Sequence, residues 1–173
     1  PETAQIVVGD AQRAKQLVPD DAVRNPGLDG ICIQTVGKHL VLTGAPPRGS
    51  LYAVYTFLED FVGCRWWTAT ESFVPRRPTL DIPEIRRSYA PKLISRETFY
   101  RDAFLCPFAV RLKLNGHFME IPREYGGHLP IVGWCHTFFQ ILPPESYFAE
   151  HPDWYSEIDG NRSANHTQLC LTN

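Results

Sequence analysis

The side chains best suited to chemistry are gathered in residues 126–139, which read GGHLPIVGWCHTFF. This stretch contains His128, Trp134 and His136, and it carries no charged side chain. Its paired glycines and Pro130 argue against a helix or a central strand, so we predict a loop, where binding groups tend to lie. An indole beside imidazoles suits a ligand with an apolar face and a polar rim, such as a sugar ring. The alternative is that the aromatic side chains are core anchors and the histidines bond to the backbone.

Two other chemistries are weaker interpretations of the same stretch. Cys135 beside His136 resembles a nucleophile with its base, but adjacent residues on an extended loop rarely reach that geometry, so we expect no catalytic thiol. His117, His128 and His136 follow no recognised metal-ligand spacing. The five cysteines are odd in number, widely spaced and without a C-x-x-C pair. The sequence therefore predicts no metal site, no cofactor and no disulfide framework.

Composition limits the kinds of partner. Hydrophobic residues make up 43% and charged residues 21% of the chain, as in ordinary soluble domains. A net charge of −2 provides no basic field for nucleic acid, and the apolar runs are too short to span a membrane. The sequence opens on Pro-Glu-Thr, which is no signal peptide and an unusual natural start. We expect upstream sequence to have been removed, so this end does not indicate localisation.

The pattern of residues 1–88 predicts a small α+β domain with the element order β-α-β-β-α-β. Residues 31–36 and 39–43 predict a β-hairpin. The clearest helix spans residues 50–62 and ends at Gly63. Its apolar side chains form one stripe that should pack on a sheet; they are Leu51, Val54, Tyr55, Leu58, Phe61 and Val62. The remaining elements are a strand, a helix and an extended segment at residues 5–9, 10–17 and 64–67.

From residue 89 the pattern changes to strands that alternate with helices. Strands are predicted at residues 93–100, 118–121 and 168–172, helices at 106–114 and 145–150, and a hairpin around Asp159-Gly160. A β/α barrel begins in this way, but eight units need roughly 250 residues. Asn173 directly after a strand is a good helix N-cap, so we expect the fold to continue past it. The predicted fold class is α/β, with residues 89–173 as the first units of a truncated (β/α)8 TIM-type barrel.

A resemblance to known families supports this organisation. Residues 49–67 (GSLYAVYTFLEDFVGCRWW) resemble the helix and following strand of the small domain that precedes the barrel in β-hexosaminidases and α-glucuronidases. Five segments resemble motifs of a bacterial glycosidase-like family called domain of unknown function 4838. These are LNGH at 114–117, GGHLPIVGWCHTFF at 126–139, YFAEHPDWY at 147–155, DGNR at 159–162 and QLCLTN at 168–173. The likeness covers most of the chain.

The resemblance implies a glycoside-hydrolase-like enzyme that acts on an oligosaccharide or polysaccharide and is secreted or periplasmic. It also implies that the catalytic acids lie beyond residue 173. Glycosidases usually need two carboxylates, and Glu97, Asp102, Glu120 and Glu124 form no convincing pair by spacing. We therefore expect the N-terminal part of a carbohydrate-active enzyme that contributes glycan-binding residues. The alternative is a non-catalytic carbohydrate-binding or scaffold module, and no pattern indicates the oligomeric state.

Four side chains are the predicted glycan contacts. Arg96 lies on the first predicted barrel strand, where the resemblance implies an arginine that binds sugar hydroxyls. The alternative for Arg96 is a salt bridge to Glu97 or Asp102. The other three are the loop side chains His128, Trp134 and His136. For these the alternative is that the loop folds inward and its indole plugs the end of the barrel.

Overall fold

The computed structural model describes residues 3–9, 12–134, 136–165 and 168–172, and their packing separates two units, Pro1–Pro130 and Ile131–Asn173. In chain order, the strands of the first unit are β1 (Ile6–Val8), β2 (Ile31–Val36), β3 (His39–Gly44), β4 (Arg65–Trp66), β5 (Ser72–Phe73) and β6 (Arg86–Tyr89). Its α-helices are α1 (Gln12–Leu17), α2 (Asp21–Arg24), α3 (Gly49–Phe57), α4 (Arg101–Phe104) and α5 (Phe108–Arg111). A 3-10 turn, Arg123–Tyr125, follows α5.

A four-stranded mixed sheet in the order β1-β3-β2-β6 is the frame of the first unit. Strands β2 and β3 form the predicted antiparallel hairpin, with Ile31 opposite Gly44 and Val36 opposite His39. Strand β1 pairs in parallel with β3, and β6 pairs antiparallel with β2 at the other edge. The mixed α/β class is therefore confirmed. The sequence pattern missed β6, because that segment follows a proline-rich crossing and is recognisable only by its pairing with β2.

Helix α3 lies between the sheet and the segment that contains α5. Its last turn widens into a π-helical turn, Leu58–Val62, and Gly63 ends it with φ of 92°, as predicted. The prediction of which face of α3 is buried was wrong. The buried side chains are instead Tyr52, Ala53, Thr56 and Phe57, while the predicted stripe is only half-buried. A helix that is covered from two sides buries residues around most of its circumference, which a single-stripe pattern does not reveal.

Residues 90–130 are less regular than the sequence pattern predicts. The strand predicted at 93–100 is wrong, because the backbone N–H and C=O of Arg96 bond to Asn115 and not to a neighbouring strand. The helix predicted at 106–114 is reduced to α5, with Pro107 just before it. The strand predicted at 118–121 contributes one parallel bridge, between Leu105 and Glu120.

The second unit is built around Tyr155, whose side chain has no exposed surface. In chain order it contains α6 (Phe138–Ile141), α7 (Pro144–Tyr147), a 3-10 turn (Pro152–Trp154), β7 (Glu157–Ile158) and β8 (Asn161–Arg162). The hairpin β7–β8 confirms the turn predicted at Asp159-Gly160, since both residues have positive φ, 51° and 78°.

Two predicted elements of the second unit are shorter than expected. The helix predicted at 145–150 is the single turn α7. The strand predicted at 168–172 is wrong as a regular strand, since it provides only one antiparallel bridge, between Leu169 and Tyr155. Asn173, the predicted helix cap, and Cys135 lie outside the described residues.

No closed barrel is present within the described ranges, and the predicted domain boundary at residue 88 stays a prediction. The same ranges contain no helix that is both long enough and apolar enough to cross a membrane.

Candidate functional site: a buried arginine network and an exposed aromatic loop

The carboxylate of Asp29 is the centre of a buried polar network in the first unit. Asp29 lies in the turn before β2 and has no exposed surface. Its Oδ1 accepts from Arg48 Nε at 2.9 Å. Its Oδ2 accepts from Arg48 Nη2 at 3.0 Å, Arg96 Nη2 at 2.7 Å and Asn115 Nδ2 at 2.9 Å. Two guanidinium groups and an amide thus satisfy a charge that would be very unfavourable in the interior alone.

Arg48 connects this network to the segment that carries His128. Arg48 immediately precedes α3, its side chain is 2% exposed, and its Nη1 donates to the carbonyl oxygens of Gly126 and Gly127 at 3.0 and 2.8 Å. Gly126 has φ of 92°, and a Cβ there would lie 2.4 Å from Cγ of Arg48. Only glycine fits this contact, so the start of the 126–139 segment is fixed by a side chain of the sheet region.

Arg96, a predicted glycan contact, uses most of its donors within the first unit. Its Nη2 binds Asp29, its Nε donates to the Lys113 carbonyl at 2.9 Å and its Nη1 to the Leu93 carbonyl at 2.8 Å. The alternative partners are engaged elsewhere: Glu97 accepts from the backbone N–H of Phe118, and Asp102 accepts from that of Ala69. The Arg96 side chain is 16% exposed.

Tyr52 completes the buried network from α3. The Arg96 guanidinium carbon lies over the Tyr52 ring, 5.7 Å from its centroid. The Tyr52 hydroxyl donates to the Leu114 carbonyl at 2.9 Å. Burial raises the pKa of Tyr52 to about 12, and the negative charge of Asp29 adds to the effect. Tyr52 is therefore a neutral hydrogen-bond donor at any physiological pH.

A cavity of about 210 Å³ opens beside the network. Asp29, Tyr52, Arg96 and Lys113 line it together with apolar side chains. Lys113 forms an ion pair with Glu59 at 2.6 Å, whereas the single charge of Asp29 is shared by two arginines. The network beside the cavity thus carries an excess of one positive charge.

In the second unit, Trp134 and His136 lie on the surface. Trp134 is 41% exposed, and His136 is exposed with φ of 52°, a conformation that histidine adopts more readily than most residues. The Nδ1 of His136 lies 2.6 Å from Nε2 of Gln168. This contact holds the imidazole ring of His136 in place. An indole face and an imidazole therefore lie within three residues of each other.

The predicted sugar loop is divided between the two units. His128 is exposed and belongs to the first unit, as does Arg96, whereas Trp134 and His136 belong to the second. His117, considered above as a metal ligand, packs its ring edge-on against Phe118, with 5.0 Å between ring centroids. Among the described residues no three His, Cys, Asp or Glu side chains are grouped closely enough to hold a metal ion.

Sequence reasoning missed four buried members of the network, Asp29, Arg48, Tyr52 and Asn115. A weak signal was present, since Asp29 lies two residues before a buried strand and Arg48 directly precedes the main helix. Charged residues at such boundaries are ordinarily solvated, so nothing local separates them from surface residues. Asn115 belongs to the LNGH motif, but only its long-range contacts reveal its role.

Comparison with known proteins gives one positive result. The sequence profile of the domain of unknown function DUF4838 matches residues 66–173, and the chain belongs to this family. No curated protein and no solved structure matches the chain. Asp29 and Arg48 precede the matched region, whereas Arg96, Asn115 and the aromatic loop lie within it.

Proposed function

We propose that the chain is the glycan-binding, N-terminal part of a glycoside-hydrolase-like enzyme that acts on an oligosaccharide or polysaccharide. In this proposal residues 1–88 are an α+β domain and residues 89–173 open a β/α barrel. The motifs shared with DUF4838 and the resemblance of residues 49–67 to the domain that precedes glycosidase barrels support it. The observation that carries it is the exposed pair of Trp134 and His136 in the second unit.

These two side chains meet the physical needs of a sugar ring. A pyranose has an apolar C–H face and a rim of hydroxyls that both donate and accept hydrogen bonds. The indole of Trp134 can cover the face, and the imidazole of His136 can form a hydrogen bond with a rim hydroxyl. Gln168 holds the imidazole in place, so little conformational entropy is lost on binding.

Two residues of the first unit are further predicted glycan contacts. His128 supplies a second exposed imidazole, and its segment is held by Arg48. Arg96 contributes through the exposed part of its side chain, while Asp29 keeps the guanidinium oriented. Its role is the most limited of the four, because most of its N–H groups are already bonded.

The proposal is tested by titrating neutral and acidic oligosaccharides into the wild type, His136→Ala and Gln168→Ala. Loss of one hydrogen bond to the ligand should weaken binding about fivefold or more in His136→Ala, with a smaller loss of affinity in Gln168→Ala. His117→Ala is the matched control, because this histidine lies outside the proposed site. Absence of binding by the wild type, or equal affinities in all four proteins, would remove the loop from the site.

Binding and hydrolysis should separate in this chain. Glu97 and Asp102 each accept a hydrogen bond from a backbone N–H group, which ties both carboxylates to the first unit. We expect the chain to bind its glycan without releasing new reducing ends, as judged by a reducing-sugar assay over hours. Turnover by these 173 residues would show that the acids are within them and would overturn this division of roles. If the full-length protein also binds without turnover, the non-catalytic carbohydrate-binding module replaces the enzyme.

A further inference from the structure

The second unit contains a rigid aromatic wall that the proposed Trp134–His136 site does not use. Phe139 and Phe148 both pack on the buried ring of Tyr155, with centroid distances of 5.8 and 5.2 Å and interplanar angles of 58° and 73°. The Tyr155 hydroxyl donates to the Leu142 carbonyl at 3.0 Å, which fixes the central ring. Both phenylalanines are half-buried, and Tyr155 supports each ring on its inner side. Their outer faces are therefore preorganised for a ligand.

An open cavity of about 640 Å³ lies against this wall. Phe139 and Phe148 line one part of it, and Glu145 and Asn165 supply the polar atoms. The volume is within the range of small-molecule sites, roughly 300–1,000 Å³. A single sugar ring is suited by these groups: a carboxylate that accepts from its hydroxyls, an amide that both donates and accepts hydrogen bonds, and aromatic faces that cover its C–H groups.

The charge of the cavity limits which sugar it could accept. Among the described lining residues Glu145 is the charged one, so the cavity is negative. Burial raises the pKa of the Tyr155 hydroxyl, and the negative charge of Glu145 raises it further. A uronic acid would bring a second carboxylate close to Glu145, which is repulsive, whereas a neutral or amino sugar would not.

We propose that this cavity is a second sugar subsite, that it takes a neutral or amino-substituted pyranose, and that it rejects a uronic acid. The proposal rests on the proposed function, because it assumes that the chain binds glycans. It adds to that function a substrate class. Phe139 and Phe148 stack on the ring, Glu145 accepts from hydroxyl or ammonium groups, and Asn165 bonds the remaining rim.

The test is a titration with three derivatives of one sugar ring that differ in charge, monitored by backbone-amide NMR of the 173-residue chain. Methyl glucosaminide, methyl glucoside and methyl glucuronide are titrated separately at pH 6.5, chosen so that the three probes differ mainly in charge. We expect shifts at the amides of Phe139, Phe148 and Asn165 with the first two probes, and affinity at least fivefold lower for the glucuronide.

Two variants identify the carboxylate. Glu145→Gln should reduce the difference between glucoside and glucuronide to less than twofold, and Glu145→Lys should reverse it. Glu150→Gln is the matched control, an exposed glutamate of the same segment that does not line the cavity. Glu145 is exposed, so these substitutions should leave the fold intact, unlike truncation of Phe148.

The location of the NMR shifts distinguishes the proposed cavity subsite from the proposed Trp134–His136 site. Shifts confined to the amides of Trp134, His136 and Gln168, unchanged by Glu145→Gln, would overturn the cavity and leave the glycan site in place. Tighter binding of the glucuronide in the cavity would overturn the substrate class. Shifts at the cavity alone would overturn the Trp134–His136 site. No shift with any probe, or with longer oligosaccharides, would overturn both.

Discussion

At the scale of single residues, the side chains divide into those that bond inward and those that face solvent. Asp29, Arg48 and Asn115 satisfy one another in the interior, whereas Trp134, His128 and His136 are exposed. The exposed set was predictable as loop residues, because the paired glycines and Pro130 argue against a helix or a central strand there. The buried set was not, because its partners are up to 86 residues apart in the sequence.

The thiol of Cys170 is predicted to be more reactive than an ordinary cysteine, because its pKa is lowered. Hydrogen bonds from Thr172 and from Arg162 lower the pKa of the thiol from the ordinary value of 9.0 to about 7, with the Thr172 hydroxyl 3.3 Å from Sγ. A lowered pKa means that the nucleophilic thiolate is present above about pH 7 and is lost below it. We therefore predict that the rate of iodoacetamide alkylation at this position reaches half its maximum near pH 7.

The alkylated site is located by peptide mass spectrometry, and Thr172→Val is the variant that tests the cause. Removal of the hydroxyl should move the half-maximal pH upward toward the ordinary value of 9.0. Cys106, whose pKa is raised by burial, is the internal control and should react only at higher pH. A profile for Cys170 that matches that of Cys106 would contradict the assignment.

At the scale of elements, local signals predicted the parts whose hydrogen bonds are local. The β2–β3 hairpin has a two-residue turn, and α3 has a glycine stop, so both appear in the sequence pattern. The strand predicted at 93–100 failed for the opposite reason. Alternating side chains were present, but Asn115 takes the backbone groups of Arg96, and that competition is invisible without the fold.

The Asp29 network joins several of these elements, so its loss should affect the whole first unit. Asp29→Asn removes the charge and leaves the buried Arg48 guanidinium without a carboxylate partner. We predict a loss of about 3–5 kcal/mol in the free energy of unfolding, the usual cost of breaking a buried pair. Urea denaturation followed by circular dichroism measures it through the shift in midpoint.

Asp60→Asn is the matched control for this measurement. It removes an ion pair of the same chemical type with Arg87, but those side chains are 42% and 38% exposed. Such a pair contributes about 1 kcal/mol or less, so the variant should unfold close to the wild type. Equal shifts for the two variants would show that the network is no more important than a surface contact.

At the scale of the molecule, family membership was predictable and architecture was predictable only in outline. The motifs from LNGH to QLCLTN identified DUF4838, and the profile match over residues 66–173 confirms that assignment. The packing separates units at residue 130, inside the segment that the sequence treats as one loop. A chain boundary of that kind depends on which contacts form over long distances, so composition and periodicity do not encode it.

The glycan-binding role of the second unit is the central proposal, and Trp134 tests it most directly. Titration calorimetry of an oligosaccharide that the wild type binds should be repeated with Trp134→Ala and with Trp67→Ala, a tryptophan of the first unit that is 65% exposed. Loss of a stacked ring should weaken binding about tenfold in Trp134→Ala, while Trp67→Ala binds as the wild type does. Equal affinity in all three proteins would contradict the account.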